Sequence, residues 1–580
     1  MSTTPKAPTM ASLLRSQASA LGAKPAYRYL ADGCEETRTL TFEGIYLEAR
    51  AVAARLQQRL DPGDRAVILA NDSIEFIRAF MGCQLAGVIA VPAAPPFPGP
   101  GKRVATLRAI VADCSARAIV TTNSADSRDR IVAAAPELAN PEWIAVDRIA
   151  VERAAEFREQ PVRPDDVSFL QYTSGSTSTP KGVVVTHDAL MHNEELIATS
   201  WVLGPDDVAV SWLPLFHDMG LIGTVFPALY AGFEAVLMPP LSFVQRPERW
   251  LRAITRYGAT VCGAPDFGYA LCVRRIPPHE REQLDVSSWR VAFSGAEPVR
   301  ARTLDAFAEA FGPHGFDARS WFPCYGLAEC TLMATAVEPR AGAPRLTLRS
   351  SALQEGRVAP GGEQTLVGCG IERLHRRVEI VDPVTRRRSG RTHVGEIWLA
   401  GPDICAGYWK RPEESEHVFG ARLEDSGDGP FLRTGDLGFI HDDQLFITGR
   451  LKDILIVGGR NHYPQDIEAT AGTAHDAMLE HDCVAFALER DAREQVIVVA
   501  ALQPEHDRVG VSLDDIARRV RAAVSAEHGI SVDEVVLVDR RSIPKTSSGK
   551  LQRGACRAAF ERGELRRARA SAVVELQGAR

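Results

Sequence analysis

Gln171-Tyr-Thr-Ser-Gly-Ser-Thr-Ser-Thr-Pro-Lys-Gly182 decides how the rest of the chain is read. Four hydroxyl side chains and a glycine lie between Thr173 and Thr177, followed by Thr179, Pro180, Lys181 and Gly182. The preceding Val167-Ser-Phe-Leu-Gln-Tyr172 reads as a buried strand, and Val183-Val-Val185 as strand again. Asp188-Ala-Leu-Met-His-Asn-Glu-Glu-Leu196 then reads as a helix with its N-cap. A small-residue loop between regular elements can turn backbone N–H groups inward as an anion nest, with hydroxyls and an ammonium completing the phosphate contacts. The loop is not a Walker A motif, which needs Gly before the Lys and Ser or Thr after it; here Pro180 and Gly182 stand there. A flexible Ser/Thr linker is the alternative, but linkers are not framed by apolar strands.

Working outward, 580 residues are too many for one core and predict two or more domains. Hydrophobic residues at 45% and charged residues at 24% are ordinary for a globular chain. A net charge of −7 argues against a nucleic-acid binder. Eleven irregularly spaced cysteines without a C-x-x-C fit reduced thiols, and neither a disulfide framework nor a zinc site. The first residues lack the apolar core of a signal peptide. The stretch Ala79 to Val91 is too short to span a bilayer. A cytoplasmic protein without a transmembrane segment is expected.

Strand and helix patterns alternate, as in an α/β fold. Arg65 to Ala70 reads as strand, Ser73 to Leu85 as helix with a Ser or Asp cap, and Gly87 to Pro92 as strand. Arg103 to Asp113 reads as helix and Ala118 to Thr122 as strand. Such repeats favour a largely parallel sheet with active loops at the strand C-terminal ends. The sharpest boundary falls near 450–460. Beyond it a smaller α+β pattern includes Gln495 to Leu502 and Val535 to Val538.

Five further segments carry candidate chemistry. Trp212-Leu-Pro-Leu-Phe-His-Asp-Met-Gly-Leu221 sets His217 among apolar residues. Phe293-Ser-Gly-Ala-Glu-Pro298 ends a strand with small residues where a flat ring could lie against backbone. Cys324-Tyr-Gly-Leu-Ala-Glu-Cys-Thr331 pairs an aromatic with Glu329, a candidate divalent-metal ligand. Arg433-Thr-Gly-Asp-Leu-Gly438 puts Asp436 in a tight turn, where its two oxygens could hold the two hydroxyls of a ribose. Pro544-Lys-Thr-Ser-Ser-Gly-Lys-Leu-Gln-Arg553 puts Lys550 on a Gly-containing loop. Singly, each has a plainer reading as core residue, capped turn or solvated charge.

In this order and spacing, the six segments resemble those of the adenylate-forming superfamily, which includes acyl-CoA synthetases, luciferases and peptide-synthetase adenylation domains. The resemblance runs from about residue 10 to 560. It implies a large N-terminal domain with mixed, largely parallel sheets (1–449), a hinge (450–453) and a small mobile α+β domain (454–580). It also implies ATP and Mg²⁺. The loop from Thr173 through Ser174, Gly175, Ser176 and Thr177 to Lys181 resembles the one that wraps the β- and γ-phosphates. Tyr325, followed by Gly326, resembles the ring that stacks on adenine, with Ala296 and Glu297 on its other side. Glu329, with Thr173, resembles the Mg²⁺ ligands, Asp436 the ribose-binding carboxylate, and Arg450 the arginine that also contacts nucleotide. His217 matches the position beside the carboxylate substrate. Lys550 resembles the lysine that bridges that carboxylate and the α-phosphate, and Lys452 stands at the hinge. Lys545, by contrast, is expected to be a neutral bystander. Ser178 departs from the family, many members having Gly there.

Within the superfamily the chain resembles the fatty acyl-AMP ligases, which pass the acyl group to an acyl carrier protein. The turn Val91-Pro-Ala-Ala-Pro-Pro-Phe-Pro-Gly99 and the run Gly459-Arg-Asn-His-Tyr-Pro-Gln-Asp-Ile-Glu468 carry that likeness. A lengthened stretch within about 339–365 resembles the subfamily's insertion, thought to restrain the small domain and disfavour transfer to CoA. The implied activity converts a medium- or long-chain fatty acid and ATP to acyl-AMP and pyrophosphate. The acyl group then passes to the phosphopantetheine thiol of a separate holo acyl carrier protein or a polyketide or peptide synthase carrier domain. The alternatives are a fatty acyl-CoA synthetase and a non-catalytic acyl-adenylate-binding module. The second would be expected to have lost Lys550 or Glu329.

Overall fold

The computed structural model describes residues 6–96, 101–122, 127–173, 180–374, 376–457, 459–490, 493–503, 512–546 and 549–568. The fold is α/β. Among the described residues two large sheets dominate. One is six-stranded, ordered Glu142–Ala145, Ala118–Thr121, Arg65–Leu69, Ile89–Pro92, Val167–Thr173 and Lys181–Thr186. Its first five strands are parallel and the last is antiparallel. The other is eight-stranded. Its parallel interior runs through Trp321–Gly326, Val291–Ser294, Val261–Ala264, Val208–Ser211, Glu234–Leu237 and Pro25–Leu30, and an antiparallel strand closes each edge.

Helix Ser73–Ala86 is buried at every residue and shares one apolar core with both sheets. A helix apolar all round is stable only in such an interior position. Asp72 caps it, its carboxylate accepting the N–H groups of Ile74 and Glu75. The parallel strands aim their C-terminal ends at one edge of this core. There Thr173, Ser294 and the segment after Ser211 emerge together.

Beyond these sheets, Arg377–Val381, Gly395–Ala400, Leu432–His441 and Gln444–Arg450 form an antiparallel sheet. One 3-10 turn, Leu451–Asp453, then leads into the C-terminal unit. In that unit Met478–Arg490, Arg493–Leu502 and Glu534–Asp539 form a sheet with two apolar faces. Val496, Val498 and Ala500 pack beneath helices Pro464–Thr473 and Leu513–His528, while Ile497 and Val499 face Cys556 of helix Arg553–Glu561. Alternate residues of one strand thus serve opposite faces.

Several expectations need correction. The helix after the phosphate loop is His187–Trp201, and its cap is Thr186, whose hydroxyl accepts the Ala189 N–H at 3.2 Å; Asp188 lies in the first turn. The strand expected from Gly87 begins at Ile89, since Gly87 takes left-handed φ to end the preceding helix. Asp436 lies within strand Leu432–His441 and not in a turn. Pairing on both sides of the run carries the strand through a local irregularity, where Gly435 takes φ +69° and the Thr434 hydroxyl accepts the Asp436 N–H at 3.1 Å. Among the described residues no helix is long and apolar enough to cross a membrane.

Candidate active site

Thr173 and Lys181 end two antiparallel strands and sit opposite each other in register. The phosphate loop is therefore the tip of a hairpin; Ser174, Gly175, Ser176 and Thr177, with Ser178, lie outside the described residues. Gly182 is where the neighbouring strand makes room, a Cβ there meeting the Tyr172 ring at 3.0 Å. Trp409 N–H bonds to the Gly182 carbonyl at 2.8 Å and brings the 405–409 segment alongside. Lys181 forms an ion pair with Glu414 and lies 5.5 Å from the Tyr408 ring centroid. The Tyr408 hydroxyl donates to Glu329 Oε1 at 2.8 Å. One contact chain thus joins the phosphate hairpin to the candidate metal ligand.

Glu329 sits in a 3-10 turn, Ala328–Cys330, that directly follows strand Trp321–Gly326. Burial raises its carboxyl above the usual carboxylate range, while the Tyr408 hydroxyl pulls it back. Gly326 is required at its place, because a Cβ would fall 1.7 Å from the Leu332 carbonyl oxygen. Tyr325 is buried, and its hydroxyl donates to Asp436 Oδ2 at 2.8 Å. Asp436 Oδ1 meets Arg450 Nε at 2.9 Å. The two residues are direct cross-strand partners, so the register of the hairpin makes that pair. Both Asp436 oxygens are therefore partnered. A carboxylate offers about four lone-pair sites, which leaves acceptors for a diol.

Across from Tyr325, Ala296 takes φ +68°, a left-handed conformation costly for a residue with a side chain. It turns the chain after strand Val291–Ser294 so that Glu297 Oε1 accepts the Phe267 N–H at 2.7 Å. Burial and then neighbouring Asp266 push the Glu297 carboxyl up to about 7. His217 caps the short helix Asp218–Gly220, its Nδ1 lying 2.5 Å from Asp218 Oδ1. Burial would raise Asp218, but His217 and then the Lys550 ammonium hold it well below the ordinary carboxylate range.

Lys550 is half-buried on a tight loop. Its N–H bonds to the Thr546 hydroxyl at 3.0 Å, its carbonyl accepts the Thr546 N–H at 2.8 Å, and Gly549 supplies φ +91°. Burial lowers its pKa, Asp218 opposes that, and Arg450, Glu297 and Asp436 also act on it. The ammonium of the small domain therefore faces the residues of the large one. Arg553, joined to Asp453 at 3.0 Å and to Glu468 at 2.7 Å, ties the helix after Lys550 to the hinge turn. Lys452 is exposed in that turn.

The structure thus gathers Thr173, Lys181, Ala296, Glu297, Tyr325, Gly326, Glu329, Asp436, Arg450, His217 and Lys550 around one edge of the two sheets. Sequence reasoning missed Tyr408, Glu414 and Asp218. Gly407-Tyr-Trp409 and the acidic neighbour of His217 were the available signals. Lys545 is no solvated bystander: it pairs with buried Asp482, which Arg540 meets at 3.2 Å.

The AMP-binding enzyme family matches residues 14–409, and the Disco-interacting protein 2-like AMP domain matches 452–570. The chain is 40% identical to medium-chain-fatty-acid–(acyl-carrier-protein) ligase JamA of Moorena producens, covering 97% of this chain and 96% of that one. It is 36% identical to long-chain-fatty-acid–AMP ligase FadD32 of Mycolicibacterium smegmatis, over 94% and 93% of the two chains. A fatty acyl-adenylate ligase of L. pneumophila, solved with acyl adenylate and pyrophosphate, superposes with a TM-score of 0.74 at 35% identity, over 96% of each chain. A structure from a study of such ligases from E. coli and L. pneumophila gives a TM-score of 0.87 at 31% identity, over 96% and 98%.

Proposed function

Because the chain belongs to the AMP-binding enzymes, and among them to the fatty acyl-AMP ligases, we propose that it joins a medium- or long-chain fatty acid to AMP at this site and then hands the acyl group to the phosphopantetheine thiol of an acyl carrier protein. The single observation that carries the reading is Lys550, half-buried on the small domain and near enough for its charge to act on Asp218, Glu297 and Asp436 of the large one. A non-catalytic module would have no need of that cation.

The first half-reaction sets a fatty carboxylate against the α-phosphorus of ATP. A new P–O bond forms, the bond to the β,γ-diphosphate breaks, and pyrophosphate leaves. Both reactants are anions, so the step needs positive charge at fixed positions. Lys550 bridges the carboxylate and the α-phosphate. Lys181 and the hairpin backbone take the departing phosphates. Asp436 and Arg450 hold the ribose end, with adenine between Tyr325 and the 296–297 turn. Asp218 fixes His217 by Nδ1 and leaves Nε2 for the substrate carboxylate. A half-buried carboxylate with one oxygen accepting from Tyr408, together with the Thr173 hydroxyl, makes a hard-oxygen set that suits Mg²⁺ shared with phosphates. Glu329 and Thr173 would hold that ion, which supplies charge neutralisation at the leaving pyrophosphate.

In the second half-reaction the carrier thiol attacks the acyl carbonyl, AMP departs, and a thioester remains. Rotation about Lys452 removes Lys550 and opens the approach, a hinge type of switching. The large domain (1–449) thus keeps the adenylate while the small one (454–580) changes partners. Carrier domains of polyketide or peptide synthases offer the same arm as a free carrier protein, and the reading includes them.

The test is pyrophosphate exchange with ATP, Mg²⁺ and fatty acids of medium and long chain, followed by mass spectrometry of a holo carrier protein. Exchange and acylation of the carrier are expected. Absence of exchange with every chain length overturns the reading. Efficient acyl-CoA formation with an inert carrier would replace it by the CoA-synthetase reading.

A further inference from the structure

Away from the nucleotide site, the end of helix Asp266–Arg275 gathers positive charge that neither adenylation nor the core uses. Arg274 and Arg275 are exposed on its last turn. Arg300 and Arg302 enter from the next helical segment, Arg302 meeting Glu480 of the small domain at 2.9 Å. Arg540, across the domain boundary, lies close enough to act on Arg274. Among the described residues Arg274 and Arg275 have no ion-pair partner, whereas the charge of Arg300 already acts on the carboxylates of Asp266, Glu297 and Asp466. Two exposed guanidinium groups without a paired carboxylate leave positive charge free at this end of the helix.

The position relative to the site gives the anion its identity. Phe267 lies in the first turn of helix Asp266–Arg275, its N–H held by Glu297. The rise of an α-helix from Phe267 to Arg274 and Arg275 is about 11–12 Å. A phosphopantetheine arm that reaches the acyl carbonyl with its thiol must leave its phosphodiester an arm's length away, outside the mouth. Glu480 and Asp482 are the small-domain carboxylates at this rim, and both are engaged by basic residues in the present arrangement. Rotation of the small domain would withdraw Glu480 and free Arg302 at the moment the arm needs entry.

We propose that Arg274, Arg275 and Arg302 form the receiving rim for the phosphodiester end of a phosphopantetheinylated carrier protein, with Glu480 as the anion that occupies it during adenylation. The inference rests on the transfer step proposed above. A planar, fork-shaped guanidinium suits a phosphodiester better than an ammonium does. Rim charges act mainly on encounter and its salt dependence, so the expected signature is in KM.

The experiment uses the full chain with the double variant Arg274→Glu/Arg275→Glu, and the milder Arg274→Gln/Arg275→Gln in case charge reversal perturbs folding. Acyl transfer is measured with holo carrier protein and with pantetheine, which has the thiol but no phosphate; pyrophosphate exchange is measured alongside. KM for holo carrier should rise roughly tenfold or more, with a flatter dependence on salt. Exchange and transfer to pantetheine should stay at the parent level. An unchanged KM for carrier overturns the rim, as does an equal loss with pantetheine. Failure of the parent protein to acylate any holo carrier while it still exchanges pyrophosphate would instead overturn the transfer reading on which the rim depends.

Discussion

At the residue scale, the role proposed for Lys550 divides the two half-reactions. Its pKa is lowered by burial, and Asp218 counters that shift, so the ammonium is kept where charge develops. Lys550→Ala should cost roughly 10²-fold or more in acyl-AMP formation. Transfer from preformed acyl-AMP should stay near the parent rate, because the rotation carries the lysine away. Equal losses in both half-reactions would contradict this assignment. Glu194 offers a test of stability. It is 0% exposed on helix His187–Trp201, and neither carboxyl oxygen has a hydrogen-bond partner. Burial raises its pKa well above the ordinary value. In the unfolded chain Glu194 gives up its proton near pH ~4.3, whereas the native protein holds it to higher pH. Between those two points the native state binds more protons, so this group's contribution to stability falls as pH rises. Glu194→Gln should therefore match the parent midpoint in urea at about pH 4 and exceed it at pH 8, by about 1 kcal/mol or more. A constant difference across that range would show that the carboxyl is not the cause.

At the element scale, the lengthened stretch is an ordered piece of the interface. Strands Arg345–Leu348 and Gln364–Val367 pair antiparallel, and helix Ser350–Gln354 follows the first. Leu348, Leu353 and Val358 pack with Phe439, Phe446 and Tyr463, the last only 5% exposed. Gln364 Nε2 donates to Asp466 Oδ2 at 2.9 Å, a direct bond to the first turn of helix Pro464–Thr473 in the small domain. The aromatic of Asn461-His-Tyr-Pro464 is thus a seat for the hairpin. If this seat restrains the small domain, the pair of changes Leu353→Ala and Gln364→Ala should raise acyl-CoA formation several-fold and leave pyrophosphate exchange unchanged. Mass spectrometry of products with CoA as acceptor reads the result; no change would place the restraint elsewhere. Unlike these elements, the Asp436 strand shows the limits of local reading. A Gly-interrupted run such as Arg433-Thr-Gly-Asp436 looks like a turn until Arg433 and Gly435 are seen bonded to Glu396 of the next strand.

At the scale of the whole molecule, two units meet at one turn, and the catalytic lysine of one completes the site of the other. The rim around Arg302 and Glu480 and the seat around Tyr463 lie on that same boundary, so adenylation, acceptor entry and restraint share one interface. The alternation of strands and helices, the capped helix from Ser73 to Leu85 and the order of the six motifs were legible in the sequence. Each depends on local periodicity or on residue types that chemistry demands at a fixed place. Tyr408 on Glu329, Asp218 on His217, Glu414 on Lys181 and Lys545 on Asp482 were not legible. Apart from Asp218, these partners lie far apart along the chain, and nothing local to either residue announces the other. The sequence by itself therefore determined the six motifs, the family they resemble and a small-residue loop framed by strands. Only the tertiary structure decided which carboxylates are buried, which cations are already paired and which stand unpaired at the rim. Burial and pairing are properties of the surroundings, and the chain acquires its surroundings only by folding.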